Sequence, residues 1–88
     1  MISLKEKSII KRLANRYGVK RVFLFGSSLS KKTARDIDLA VEGLPAKYFF
    51  EFYGDLLFSL PKPVDLIDLS KDSKFTRLVR QDGFAIYG

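Results

Sequence analysis

The 88-residue chain contains neither cysteine nor histidine. Without cysteine it can form no disulfide and no thiolate metal centre. Without histidine it has no Ser-His-Asp triad, no imidazole general base and no ordinary zinc site. No apolar run is long enough to span a bilayer, and Met1-Ile2-Ser3-Leu4-Lys5-Glu6 lacks a signal-peptide core. The expected location is the cytoplasm, with no membrane partner. Internal repeats, linkers and low-complexity tracts are also missing. Any chemistry therefore rests on carboxylates, hydroxyls, amines and a bound ion.

The composition is that of a folded protein. At 47% hydrophobic and 14% aromatic residues, it suits one domain over residues 1–88 with one modest core. The net charge of +6 is unevenly spread. Residues 1–35 carry ten Lys/Arg against Glu6, whereas residues 36–70 carry seven Asp/Glu against Lys47 and Lys62. A basic excess favours polyanionic partners in general. Lys5, Lys7, Lys11, Arg12 and Arg16 read equally well as the solvated face of a helix.

The pattern along the chain predicts α-β-β-α-β-α-β. Ser3 and Glu6 form a capping-box signature. Ile10, Leu13, Ala14 and Tyr17 recur with helical spacing, and Gly18 suits the position after a helix end. The first helix thus covers about 4–17. Val19–Phe25 reads as a buried strand, and a second strand runs from near Asp36 to about Glu42. A second helix is expected over about 46–59, with Tyr48, Phe49, Phe52, Tyr53, Leu56, Leu57 and Leu60 as its apolar stripe. Phe50 and Phe58 fall at or beyond the edge of that stripe, where exposure would mark a partner surface. Pro61 and Pro63 end the helix. Val64–Leu69 reads as a strand, about 73–81 as a helix with Phe75, Leu78 and Val79 inward, and Phe84–Tyr87 as a last strand. The fold class is α/β (α+β): a small mixed sheet with helices packed mainly on one face. The second and third strands, joined through a helix, should run parallel; the first and second, joined by a short loop, could pair antiparallel.

The chemistry concentrates at two places. Val22-Phe23-Leu24-Phe25 ends in Gly26-Ser27, a turn that can bring backbone N–H groups to a phosphate. After eight intervening residues stand Asp36 and Asp38, whose i, i+2 spacing puts both on one strand face. Alone, a D-x-D is often just an acidic outer face. Here it follows the Gly-Ser turn, and Asp65 supplies another carboxylate inside an otherwise apolar strand, a costly placement without a partner. If the strands adjoin, three hard oxygen donors converge, which suits a divalent ion and phosphoryl or nucleotidyl transfer. Asp68, three residues from Asp65, points to the opposite face and reads as structural. Lys31, Lys32 and Arg35 lie in the intervening loop, within reach of phosphates or solvent. Arg35 also suits a pair with Asp36.

Gly26-Ser27…Asp36-Ile37-Asp38-Leu39-Ala40-Val41 resembles the G-S…D-x-D motif of the DNA polymerase beta-like nucleotidyltransferase superfamily. Val64-Asp65-Leu66-Ile67-Asp68-Leu69 is similar to its third-carboxylate strand. Arg77 to Tyr87 resembles the C-terminal helix-turn-strand of its minimal members. Two departures stand out: the eight-residue spacer is shorter than the usual one, and Arg35 replaces a usual serine. The resemblance implies the nucleotidyltransferase fold, with Asp36, Asp38 and Asp65 holding two Mg²⁺ ions and acting in catalysis. Gly26 and Ser27 would grip the phosphates of ATP. It further implies an antitoxin that transfers AMP to a partner HEPN-domain toxin. Two other readings stand beside it: an antitoxin that masks its partner by binding alone, and a small basic nucleic-acid-binding domain. The acidic central segment makes nucleic acid the least favoured partner. The sequence leaves self-association open.

Overall fold

The computed structural model describes residues 2–26 and 36–88. Ser27, Lys31, Lys32 and Arg35 lie outside the described residues. The elements in chain order are α1 (Leu4–Tyr17), β1 (Arg21–Leu24), β2 (Ile37–Glu42), a 3₁₀ turn (Ala46–Tyr48), α2 (Phe49–Ser59), β3 (Val64–Asp68), α3 (Lys74–Asp82) and β4 (Phe84–Tyr87).

The four strands form one sheet in the order β3-β2-β1-β4. β1 pairs antiparallel with both β2 and β4, and β2 pairs parallel with β3. Both expected pairings are therefore present. The parallel ladder opens where the Ile37 N–H donates to the Pro63 carbonyl at 2.9 Å.

Strand alternation sorts the side chains into two cores. Val22, Leu24, Ile37, Leu39, Val41, Val64 and Leu66 meet Ile10 and Leu13 of α1 and Phe52 and Leu56 of α2 on one face. Phe23, Ala40 and Leu69 meet Val79 of α3 on the other, with Phe25 and Ile67 packed against them. Two helices thus cover one face and α3 covers part of the second. Arg80 fastens α3 there: its guanidinium donates to the Leu69 carbonyl at 2.8 Å and lies 3.4 Å from a Glu42 carboxylate oxygen.

α1 starts and stops where its sequence dictates. The Glu6 N–H donates to Ser3 Oγ at 3.1 Å, and the Ser3 N–H donates to the Glu6 carboxylate at 2.8 Å, so both orphan donors are satisfied. Gly18 closes the helix at φ +70°, a left-handed conformation that costs glycine little.

Three expectations need correction. β1 is shorter than Val19–Phe25, because the Val19 N–H still donates to the Ala14 carbonyl at the end of α1. The apolar stripe of α2 is narrower: Phe52, Leu56 and Leu60 are buried, whereas Tyr48 and Leu57 are exposed. One helix laid on a sheet buries a single stripe, and Tyr48 sits in the 3₁₀ turn before α2. On α3, Thr76 and Val79 face inward at i, i+3. Phe75 and Leu78, each one residue earlier, rotate about 100° away and are 53% and 54% exposed.

Candidate functional site

The carboxylates singled out in the sequence stand at or just before the starts of β2 and β3. Asp38 and Asp65 are direct register partners across the parallel β2–β3 ladder. They share the face of Ala40 and Ile67, since residues two apart in a strand project alike. Asp38 is half-buried and Asp65 exposed. Asp36 lies just before β2 and is exposed. Asp68 takes the other parity, and its Oδ1 accepts from the Ser70 N–H at 3.0 Å. That is a turn-closing role at the strand end.

Gly26 stands against this pair. Its φ is +67°, and a Cβ built there would lie 2.5 Å from Asp38 Oδ2. Only glycine lets the chain turn out of the buried β1 so close to that carboxylate. The Phe25 N–H donates to the Asp38 carbonyl at 3.1 Å, holding the turn in register with β2.

The electrostatics reflect the crowding. The Asp38 carboxyl is raised above its ordinary value of 3.8, first by burial, then by the charge of Asp65, then by that of Asp36. Each cause disfavours the ionised form. A cation in their midst would reverse all three effects. The donors are hard carboxylate oxygens, the kind that suits Mg²⁺. Among the described residues, however, no three His, Cys, Asp or Glu gather closely enough to hold an ion. Asp38 and Asp65 are brought together as neighbours, with Asp36 felt through its charge.

Among the described residues, two grooves stand out. The larger, about 490 Å³, lies between the start of α1 and the end of α2, lined by Ser3, Glu6, Ile9, Phe58 and Leu60. It is on the helix-covered side, and its Glu6 is committed to the helix cap. The smaller, about 310 Å³, runs from Gly26 between Phe25 and α3, past Phe75, Leu78 and Gly83. It adjoins the carboxylates and is the one relevant to them. Sequence reasoning missed it by placing Phe75 and Leu78 in the core. A spacing of Thr76 and Val79 at i, i+3 was the available signal.

No helix among the described residues is long and apolar enough to cross a membrane. No curated protein matches the sequence significantly. A family model described as polymerase beta, nucleotidyltransferase matches residues 7–88. Among solved structures, a chain of a tyrosine-to-alanine variant of the toxin–antitoxin pair MntA–HepT is 30% identical. Its TM-score is 0.72, over 97% of this chain and 73% of that one. A chain of a toxin–antitoxin structure with AMP-PNP is 26% identical, with a TM-score of 0.72 over 93% and 73% of the two chains. A third match comes from the tri-AMPylated Shewanella oneidensis HEPN toxin in complex with MNT antitoxin. It is 27% identical, with a TM-score of 0.73 over 96% and 71%.

Proposed function

The chain belongs to the polymerase beta nucleotidyltransferase family, and from that premise we propose that it moves AMP from ATP to a hydroxyl on a partner HEPN-domain toxin, as that toxin's antitoxin. Residues 1–88 form one minimal nucleotidyltransferase domain in this reading, working in the cytoplasm. The observation that carries it is the pairing of Asp38 with Asp65 across β2–β3, directly beside Gly26. The likeness to chains of toxin–antitoxin structures, one with AMP-PNP and one with a tri-AMPylated toxin, supports the choice of donor and partner.

Asp36, Asp38 and Asp65 would hold two Mg²⁺ ions, which when bound neutralise charge on the triphosphate and acidify an attacking hydroxyl. Gly26 and Ser27 would present backbone N–H groups to the phosphates. The acceptor oxygen bonds to the α-phosphorus as the bond to the bridging oxygen breaks. Pyrophosphate leaves with that electron pair. Asp65, exposed at the mouth of the site, takes the hydroxyl proton. Asp38, partly buried and crowded by like charge, is the residue whose protonation would weaken cation binding.

The test uses ATP labelled at the α-phosphate, Mg²⁺ and a purified HEPN-domain partner. Label should appear on the partner, vanish with Asp38→Asn and Asp65→Asn, and persist with Asp68→Asn. Undiminished labelling by Asp38→Asn overturns the reading. Unlabelled toxin that is still neutralised by Asp38→Asn would assign the effect to binding alone.

A further inference from the structure

The groove beside Gly26 has features that the phosphate and metal chemistry does not use. Its walls are apolar and aromatic: Phe25 and Phe75 meet edge to face with ring centroids 6.1 Å apart, and Leu78 and Val79 continue the surface along α3. Scattered exposed apolar residues need no explanation. Here they line a concavity that begins at the glycine abutting Asp38. A nucleotide with its α-phosphate over Asp38 and Asp65 carries its base one ribose away. The groove is the concave apolar surface adjoining that position. Its polar wall residue is Asp82, whose carboxylate only accepts hydrogen bonds when ionised.

We propose that this groove seats the base of the nucleotide donor against Phe25, Phe75 and Leu78, with Asp82 favouring bases that carry an exocyclic amino group. The inference rests on the nucleotidyltransferase reading and adds to it the residues that select the base. Uracil is the disfavoured base, because its single ring N–H is flanked by carbonyl oxygens that a carboxylate repels. The groove differs from an acceptor site in what it must distinguish: the identity of a base rather than the surface of a protein.

Titration calorimetry on the full chain with Mg²⁺ tests this, with AMP-PNP and inorganic tripolyphosphate as separate probes. Phe75→Ala and Leu78→Ser remove half-exposed side chains, so the fold should persist in both. Phe75→Ala should weaken AMP-PNP about tenfold, the worth of a base stacked on an aromatic ring; Leu78→Ser should weaken it as well, and both should leave tripolyphosphate affinity unchanged. The uridine analogue should bind more weakly than AMP-PNP, and Asp82→Asn should narrow that gap. AMP-PNP binding unmoved by both α3 variants overturns the inference and spares the nucleotidyltransferase reading. Wild-type protein that binds neither AMP-PNP nor tripolyphosphate overturns both. A raised KM for the acceptor with unchanged AMP-PNP affinity would give the groove to the acceptor, and the inference would fail.

Discussion

Gly26 and Gly18 allow a sharp comparison, because their backbones are alike and their surroundings are not. Their φ values are +67° and +70°. Alanine at either position must adopt a left-handed conformation, at a cost of about 1–2 kcal/mol. In a domain of this size each kcal/mol lowers Tm by about 4–8 °C, so both variants should melt earlier by similar amounts. At Gly18 the added methyl meets nothing within 4 Å. At Gly26 it would stand 2.5 Å from Asp38 Oδ2 and 3.4 Å from Asp38 Cγ. The nearest atom is a side-chain oxygen rather than backbone, so the carboxylate rather than the core gives way. The added strain on stability is therefore small, but the carboxylate is displaced from beside Asp65. A displacement of about 1 Å at a reacting centre costs about 10²-fold in rate. Gly26→Ala should accordingly lose about 10²-fold in AMP transfer, while Gly18→Ala, equally destabilised, keeps its rate at a temperature where both are folded. Thermal unfolding and transfer of labelled AMP, measured on the same preparations, decide the matter. Equal transfer by the two variants would refute the placement of Gly26 against a working carboxylate.

Further predictions concern charge and packing. Asp38 has a raised pKa, so the fold favours its protonated form; that advantage is complete below the ordinary 3.8 and is lost as pH rises through the raised value. In EDTA near neutral pH, Asp38→Asn should therefore raise Tm, and the gain should shrink as pH falls; a constant difference would contradict the crowding described above. Mg²⁺ should raise the Tm of the wild type and leave that of Asp38→Asn unchanged. The Tyr17 hydroxyl, which donates to Asp55 at 2.5 Å, is pushed up to about 12, first by that hydrogen bond. Its contribution to stability is present below pH 10 and lost as pH rises toward 12; ultraviolet titration should show a late ionisation that Tyr17→Phe removes. Phe52→Ala empties a fully buried site and should cost about 3–5 kcal/mol, a large share of the about 5–15 kcal/mol that holds such a domain. Phe58→Ala, at a side chain 93% exposed, should stay within about 0.5 kcal/mol in urea unfolding.

The frame of the molecule was legible because period and punctuation agree along the chain. Ser3 and Glu6 announce α1, Gly18 ends it, and the alternation of Ile37, Leu39 and Val41 sets which face of β2 is buried. Helix faces were harder to read. The seven apolar positions expected of α2 exceed what one stripe can bury, and the competition between Tyr48, Leu57 and their neighbours is settled by packing on the sheet. For α3 the caps mattered more than hydropathy. Thr76 is buried because its hydroxyl donates to the Lys71 carbonyl at 2.8 Å and accepts from the Ser73 N–H at 2.9 Å. With Thr76 inward, Phe75 turns outward.

The relation between Asp38 and Asp65 shows how far parity alone carries. Strand alternation separates Asp65 from Asp68, and burial of Val64 and Leu66 assigns Asp65 to the outer face. That much follows from residue order. Which β2 residue Asp65 faces does not: a slip of two residues would keep every buried side chain on its own face and move the carboxylate beside Ala40 or Asp36. The register is fixed by the Ile37 N–H bonded to the Pro63 carbonyl, the first rung of the ladder. Pro63 has no N–H to pair, so it serves the ladder as an acceptor and begins the strand where a missing donor is tolerated. Val64 then falls opposite Ile37, and Asp65 opposite Asp38. The pairing of two like charges is thus imposed by the apolar pairs on either side of it, Ile37 with Val64 and Leu39 with Leu66. The core bears the cost of the paired charges, which is why Asp38→Asn should stabilise the fold.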